Sequence, residues 1–246
     1  WAWDQQGRPA RAAHGDGFAE QNLAQEDLIE KATPALLEKK LSSVWYPGFG
    51  AILRDRVGKE DEVYFGFRQG YLASHSDANQ GDFALYAHRA PLTTLSVKGY
   101  AIHQLKPYRK LYNEFGWHSR VRFGEQNDFG GWPGGGPVSG IHRHFFSDSV
   151  DYLKALGDYP PQRWTRQILF LKSREGKTPA YFVFRDSFDP LGDATTQNLE
   201  QKWWYQRTLG TKDQITPSDN GFLHVSEWGP KLQVRCVQPA AVEVQS

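Results

Sequence analysis

A dense group of polar side chains lies in residues 73–92, ASHSDANQGDFALYAHRAPL. If the backbone is extended from residue 75 to residue 79, the side chains of His75, Asp77 and Asn79 share one face, because strand side chains alternate with period two. A plain β-sandwich needs no imidazole, carboxylate and amide in a row there, so the stretch is a candidate site. An Asx-type turn with a histidine on its rim is the alternative, and spacing alone favours that turn.

Three further histidines could take part in chemistry. His118 stands beside a tryptophan in Trp117-His118-Ser119, where a single histidine is usually packed and satisfied. His142 and His144 stand at i and i+2 and would share a face of a strand, which suits Zn²⁺ binding. Two ligands are too few, however, and no C-x-x-C or H-E-x-x-H motif supports them. We therefore expect structural or surface histidines at these two positions.

Composition and missing motifs exclude several classes of function. Lys and Arg total 29 and Asp and Glu total 28, so net charge gives no reason to expect nucleic acid or a membrane as partner. Cys236 is the only cysteine, which excludes a disulfide framework. The chain has no G-x-S-x-G, no Walker loop, and no G-x-G-x-x-G before a strand. No apolar run approaches the ~20 residues that cross a bilayer.

The aromatic content and the first residues also carry information. Aromatic residues make up 14% of the chain, with nine Trp, which is common in carbohydrate-binding proteins and equally suits a β-sandwich core. The chain has no Met and opens on Trp-Ala-Trp. This start indicates a processed or excised segment of a longer protein, in which a signal peptide would not be visible.

The elements that must position these residues are mostly strands. Residues 18–42 form the one convincing helical region, with capping-box spacing at Asp27 and Glu30 and a Thr33-Pro34 helix start. After residue 46, short β-rich runs are bounded by turn residues: 50–54, 62–68, 82–88, 119–123, 138–146, 164–172, 180–186, 201–208, 222–227 and 231–237. This order predicts a mainly β chain, an antiparallel β-sandwich over residues 46–246 after a helical lead-in over residues 1–45. Both faces of residues 168–171 look buried, as in a central strand.

Two segments have the composition of functional loops. Residues 99–117 (GYAIHQLKPYRKLYNEFGW) carry three Tyr with basic residues and a His, which is too polar for a core. Residues 124–137 (GEQNDFGGWPGGGP) are rich in glycine.

An ordered series of short motifs resembles the heparinase II/III-like polysaccharide lyases, specifically their C-terminal β-sandwich domain, which is supersandwich-like. The motifs are Tyr46-Pro47-Gly48-Phe49-Gly50, Arg68-Gln69-Gly70, Ser74-His75 through Asp82-Phe83, Ala90-Pro91-Leu92, Gly116-Trp117-His118-Ser119, and the pair Arg166–Phe170 and Tyr181–Asp186. The likeness extends from about residue 35 to residue 237.

The resemblance implies a two-domain enzyme in which an (α/α) toroid precedes the sandwich and substrate binds between them. Residues 18–42 would be the end of that toroid, and most of it is missing from this chain. The reaction of the family is β-elimination on a uronic-acid polysaccharide. Such a site neutralises the uronate carboxylate, removes the C5 proton and protonates the departing O4, typically with Tyr and His as general acid and base.

The resemblance also implies roles for individual residues. His75 matches the family's cleft-facing His and is the expected catalytic residue, with Tyr100 and Tyr112 on the long loop. Asp77 stands where the family has a metal-binding His, and Asn79 stands where it has Asp. His118 matches a second ligand, so Asp77 and His118 would hold a structural Zn²⁺ or other divalent cation or bond to each other directly. The acidic ligand expected after Leu92 is missing. The expected substrate-binding residues are Arg68, Asn79, Gln80, Tyr108, Arg109, Arg120 and Trp132.

The expected partner is an anionic polysaccharide, with no nucleic acid, no membrane insertion and no required cofactor. The resemblance places the protein in the periplasm or outside the cell. Two alternatives remain open: a non-catalytic carbohydrate-binding β-sandwich, and a degenerate lyase that only binds glycan, which the departures at Asp77 and Asn79 would suit.

Overall fold

A computed structural model describes residues 41–70, 80–93, 119–123, 139–159, 162–173, 175–191, 201–203 and 212–237. The chain divides into two compact units, Trp1–Leu41 and Ser42–Ser246, and nearly all described residues belong to the second. These residues contain strands and turns but no helix, so they include no helix long and apolar enough to cross a membrane. The predicted helical region at 18–42 lies outside them, except for its last two residues.

Fourteen strands make up the described residues. They are β1 Val44–Tyr46, β2 Gly50–Asp55, β3 Val63–Arg68, β4 Phe83–Ala87, β5 Ala90–Thr93, β6 Val121–Phe123, β7 Ser139–Phe146, β8 Val150–Tyr159, β9 Gln162–Leu171, β10 Tyr181–Pro190, β11 Gln201–Trp203, β12 Gln214–Ser218, β13 Gly221–Val225 and β14 Lys231–Arg235. All the pairings between them are antiparallel. The prediction of a mainly β, antiparallel chain is confirmed.

The strands form four sheets with simple connections. The first sheet is a five-stranded meander in the order β1-β2-β3-β4-β5, and the second has the order β10-β9-β8-β7. Two small sheets, β11-β6 and β12-β13-β14, complete the described fold. Proline stands on three edge strands, at Pro91, Pro190 and Pro217, where a missing backbone N–H costs no ladder hydrogen bond.

One apolar core unites the first and second sheets. Its fully buried members include Leu53 and Phe65 from the first sheet and Ile168 and Phe170 from the second. The ring of Phe182 on β10 links them, with its centroid 4.7 Å from Phe65 and 4.3 Å from Phe170. Alternation along the strands therefore buries one face of each sheet against the other's residues.

The predicted strands match observed strands, apart from their ends, but four observed strands had not been predicted. The short strands β1, β5 and β12 were missed, and so was the ten-residue β8 (VDYLKALGDY). Its Leu, Lys and Ala residues favour helix, yet Leu153 and Ala155 are buried at alternate positions between two neighbouring strands. Pairing on both sides thus overrides local propensity.

Residues 168–171 were predicted to lie in a central strand with both faces buried. The central position is confirmed, but the burial of both faces is wrong. β9 lies between β8 and β10, so it is an interior strand of its sheet. Ile168 and Phe170 are fully buried, whereas Leu169 and Leu171 on the opposite face are only half-buried. The second sheet therefore has one face in the core and one face partly open to solvent.

Candidate functional site

The structure describes three of the twelve predicted site residues: Arg68, Gln80 and Arg120. The other nine lie outside the described residues, and their roles stay predictions: His75, Asp77, Asn79, Tyr100, Tyr108, Arg109, Tyr112, His118 and Trp132. The two loop segments at 99–117 and 124–137 also lie outside them. The described residues nevertheless fix where these segments end in the fold.

A buried aspartate joins two of those ends. Asp82 is fully buried, and its Oδ1 accepts hydrogen bonds from the backbone N–H of Ser119 at 2.7 Å and of Phe83 at 2.8 Å. Hydrogen bonds to an ionised carboxylate are stronger than those between neutral groups. The point where the chain resumes after residues 71–79 is therefore tied to the point where it resumes after residues 94–118. Those two segments contain His75 and His118.

An arginine at the centre of β9 supports the first of these points. The guanidinium of Arg166 donates from Nε and Nη2 to the two carboxylate oxygens of Asp186, at 2.8 and 2.9 Å, and from Nη1 to the carbonyl of Gly81, at 2.9 Å. Asp186 lies directly opposite Arg166 in the β9–β10 ladder, so the register alone brings the pair together. Arg166 is 1% exposed. Its charge is compensated by a bidentate partner, as burial requires.

Trp164 fills the space between two arginines. Its indole Nε1 donates to Asp186 Oδ1 at 2.9 Å, and its ring lies 4.6 Å from the guanidinium of Arg166 and 5.3 Å from that of Arg120. Both arrangements are within the range of cation–π attraction. Gly81 has a φ of +81°, and a Cβ there would overlap the Cη2 and Cζ3 atoms of the Trp164 ring. Only glycine fits this position.

We call Gly81, Asp82, Arg120, Trp164, Arg166 and Asp186 the Arg166 cluster. It contains two guanidinium groups and two carboxylates, so its formal charges balance. All of its charged side chains are buried or nearly so. The cluster is a support for the loop ends, and its described groups have no open surface on which to transfer protons to a substrate.

Two residues predicted to bind substrate are buried and contact the protein itself. Gln80 is 1% exposed and donates from Nε2 to the carbonyl of Gly70 at 2.7 Å. Arg120 is fully buried, lies against Trp164, and donates from Nε to the carbonyl of Val121 at 3.3 Å. A substrate-binding role would need accessible side chains at both positions. The described contacts give them a supporting role.

The third described residue, Arg68, ends β3 and is half-buried. Its Nη1 donates to the carbonyl of Phe49, and its guanidinium lies 4.6 Å from the Phe49 ring. Its backbone extends the β3–β4 ladder to the residues just before β4, because Arg68 N–H donates to Asp82 O at 2.9 Å and Gly81 N–H donates to Arg68 O at 2.7 Å. Arg68 therefore connects the turn before β2 to the Arg166 cluster.

Among the described residues, no group of three or more His, Cys, Asp or Glu side chains could hold a metal ion. The ladder shifts register between Ile141 and Arg143, and His144 packs between Trp45 and Phe146, with ring centroids 4.5 and 5.2 Å away. His142 and His144 are exposed side chains in the described fold, as we expected for structural or surface histidines. The proposed ligands Asp77 and His118 lie outside the described residues.

Sequence reasoning missed a buried histidine–aspartate pair at the small sheet β12-β13-β14. His224 Nε2 lies 2.9 Å from Asp213 Oδ2, and both side chains are fully buried. Asp213 Oδ1 also accepts from the backbone N–H of Glu227 at 2.9 Å. The two partners are eleven positions apart in sequence, and no motif marks them. Their burial gives them a structural role in holding β13 to the chain on either side.

A second missed group lies where β1, β8 and β9 meet. Lys172 Nζ is 2.9 Å from Asp151 Oδ1, and the hydroxyl of Ser43 donates to Asp151 Oδ2 at 2.5 Å. Nearby, burial raises the pKa of the Asp55 carboxyl above its usual 3.8, although the Ser173 N–H and the Lys172 charge both act to lower it. This group fastens the first strand to the second sheet.

Comparison with known proteins adds no relative. No protein-family model matches the chain, and no curated protein matches it significantly.

Proposed function

We propose that this chain is the β-sandwich portion of a polysaccharide lyase that cleaves a uronic-acid polysaccharide by β-elimination. In this proposal the first and second sheets are the two layers of the sandwich, and the single apolar core that they share supports that arrangement. The proposal starts from the resemblance of the ordered motifs, and one contact in the described fold carries it further.

That contact is the hydrogen bond between Ser119 N–H and Asp82 Oδ1. The segments that contain His75 and His118 are far apart in sequence, yet they end at the same buried carboxylate. A lyase site built from both segments needs such a meeting point. The Arg166–Asp186 pair, which occupies two of the motif positions, supports the same place through the Gly81 carbonyl.

In the proposed mechanism His75 faces the cleft and takes part in proton transfer with Tyr100 and Tyr112. Asn79 is a hydrogen-bond donor to the uronate carboxylate, which makes the C5 proton more acidic. Arg109 binds anionic groups of the substrate, since a guanidinium suits bidentate contact with carboxylate or sulfate. We assign Gln80 and Arg120 to support of these loops, because both are buried on protein partners.

The test is turnover of a panel of uronate polysaccharides by protein expressed from the complete reading frame that encodes residues 1–246. Elimination produces a conjugated unsaturated uronate, which is followed by ultraviolet absorbance. We expect His75→Ala to lower turnover by about 10²–10⁴-fold, the usual contribution of a general acid or base, with an unchanged unfolding midpoint. The exposed His142→Ala is the matched control and should keep full activity.

Near-normal turnover of His75→Ala would remove His75 from the mechanism. Binding of the same polysaccharides without any unsaturated product would instead support the alternative of a carbohydrate-binding sandwich.

A further inference from the structure

The solvent face of the second sheet carries an ordered pattern of side chains. One row across the strands, called here the apolar row, contains Val183, Leu169, Tyr152 and Phe145 at paired positions. The adjacent row, called here the cationic row, contains Arg185, Gln167, Lys154 and Arg143, again at paired positions. Tyr181, at the next outward-facing position of β10, extends the apolar side.

The apolar row is unusually open for its composition. Phe145 is 55% exposed, Tyr181 53% and Val183 48%. Leu169 and Tyr152 between them are half-buried. Scattered exposed apolar residues are normal on proteins, but a contiguous patch beside charged groups marks an interaction site.

The cationic row has no acidic partner within the described part of the chain. Arg143, Lys154 and Arg185 are absent from the ion pairs there, whereas Arg163 two rows away is paired with Asp158 at 2.6 Å. The hydroxyl of Tyr152 donates to Gln167 Oε1 at 2.9 Å, so the Nε2 donors of that amide remain in the row. Three cations and one amide donor in line suit a ligand with repeated negative charges.

The size of the patch favours a narrow ligand. Adjacent strands lie about 4.8 Å apart and alternate residues about 6.7 Å apart along a strand, so four strands and three rows cover roughly 400 Å². A stable protein interface needs about 800 Å² on each partner. A polymer whose repeating unit has both an apolar face and an anionic group would meet the two rows together, and acidic sugars have that chemistry.

We propose that this face of the second sheet binds an acidic polysaccharide chain laid across β10, β9, β8 and β7. Sugar rings pack on the apolar row, and their carboxylate or sulfate groups contact the cationic row. The site shares its ligand class with the proposed function and rests on it for that choice. It is separate from the Arg166 cluster, because Trp164 and Arg166 lie on the opposite face of β9 from Gln167 and Leu169.

The test measures equilibrium binding of the 246-residue chain to short heparin and alginate oligosaccharides, with dextran as the neutral comparison. The variant R143Q/K154Q/R185Q should lose affinity for heparin by roughly tenfold or more. The matched control K59Q/R89Q/K231Q removes the same charge from exposed positions elsewhere and should lose less than about threefold. Added salt should weaken heparin binding by the parent protein more than heparin binding by R143Q/K154Q/R185Q.

A second variant separates sugar packing from charge. F145S/V183T should weaken heparin binding by roughly threefold or more and leave binding of poly-glutamate unchanged. Equal losses in the row and control triples, or preference for poly-glutamate or for phosphatidylserine vesicles over both oligosaccharides, would overturn the proposal. Polysaccharide cleavage is measured separately, with protein expressed from the complete reading frame. Cleavage together with unchanged oligosaccharide binding by the row variants rejects this site alone, and row-dependent binding without any cleavage rejects the lyase function alone.

Discussion

The two arginine–aspartate pairs of β9 give a sharp test of what the Arg166 cluster contributes to stability. Arg166–Asp186 and Arg163–Asp158 are both bidentate and both join directly opposite residues of adjacent strands. Their exposure differs: the side chains are 1% and 14% exposed in the first pair, but 44% and 26% in the second. The two pairs are thus matched in bidentate contact and in register. The first pair is the more buried, and it also has the Trp164 and Gly81 hydrogen bonds.

Asp186→Asn keeps an oxygen that can accept from Trp164 but leaves the buried Arg166 charge without its carboxylate. Removing one partner of a buried pair costs about 3–5 kcal/mol. Asp158→Asn removes a solvent-screened pair and should cost at most about 1 kcal/mol. The free energy of unfolding is measured by urea titration with linear extrapolation. Equal losses in the two variants would refute the argument that burial controls the contribution.

The double variant R166M/D186N provides the complementary measurement. It removes both charges from the cluster, so no uncompensated ion remains. We expect it to be more stable than Asp186→Asn alone, since an uncompensated buried charge costs more than the loss of the pair. A double variant less stable than the single variant would show that the Gly81 and Trp164 contacts of Arg166 outweigh its charge pairing.

Two further predictions concern Gly81 and Asp55. Gly81→Ala should lower the free energy of unfolding by about 2–4 kcal/mol, because it combines a positive φ with overlap on Trp164. Gly48→Ala, where φ is +75° and the space is open, should lose only about 1–2 kcal/mol in the same urea titration, and equal losses would contradict the packing argument. Burial raises the pKa of Asp55 above 3.8, so the native state binds more protons than the unfolded state from pH 3.8 up to the folded pKa. The contribution of Asp55 to stability therefore falls as pH rises through that window, and Asp55→Asn should gain stability relative to the parent over the same window. Asp158 is the control of opposite sign: Arg163 lowers its pKa, so its contribution is present above pH 3.8 and is lost as pH falls through the folded pKa. Parallel pH profiles for Asp55→Asn and Asp158→Asn would contradict this assignment.

The mainly β character of the chain could be predicted because alternation and turn residues are local properties. The period-two alternation of His75, Asp77 and Asn79 predicts that Phe83, Leu85 and Ala87 continue it as a buried stripe. Phe83 and Leu85 are buried, but Ala87 is only half-buried, and Ala84 on the other parity is buried as well. Strand β8 could not be found this way, since its Lys154 and Leu156 follow no apolar alternation and its inner face carries Asp151 and Gly157. Its stability as a strand comes from two long-range ladders, which no local window contains.

Burial of polar residues was the least predictable feature of the candidate site. Arg120 and Gln80 are residue types that are usually exposed, and each follows a polar stretch of sequence. Arg120 is covered by Trp164, which is distant in sequence, and Gln80 bonds to the carbonyl of Gly70 on the other side of residues 71–79; neither contact follows from a local pattern. Arg166 and Asp186 each belong to a sequence motif, but the contact of Arg166 with the Gly81 carbonyl could not be predicted from those motifs, because it joins residues 85 positions apart.

The ends of segments 71–79 and 94–118 are held by contacts that do not depend on the side chains within those segments. Asp82 is fixed by backbone N–H groups and by the backbone of Arg68. None of these bonds involves a side chain of residues 71–79 or 94–118. Substitutions within those segments can therefore change the groups presented to a ligand while the described anchoring contacts stay the same. Under the proposed function, substitutions at Asp77 or Asn79 would change the chemistry of the site, whereas the described anchoring contacts depend on Gly81, Asp82 and Arg166.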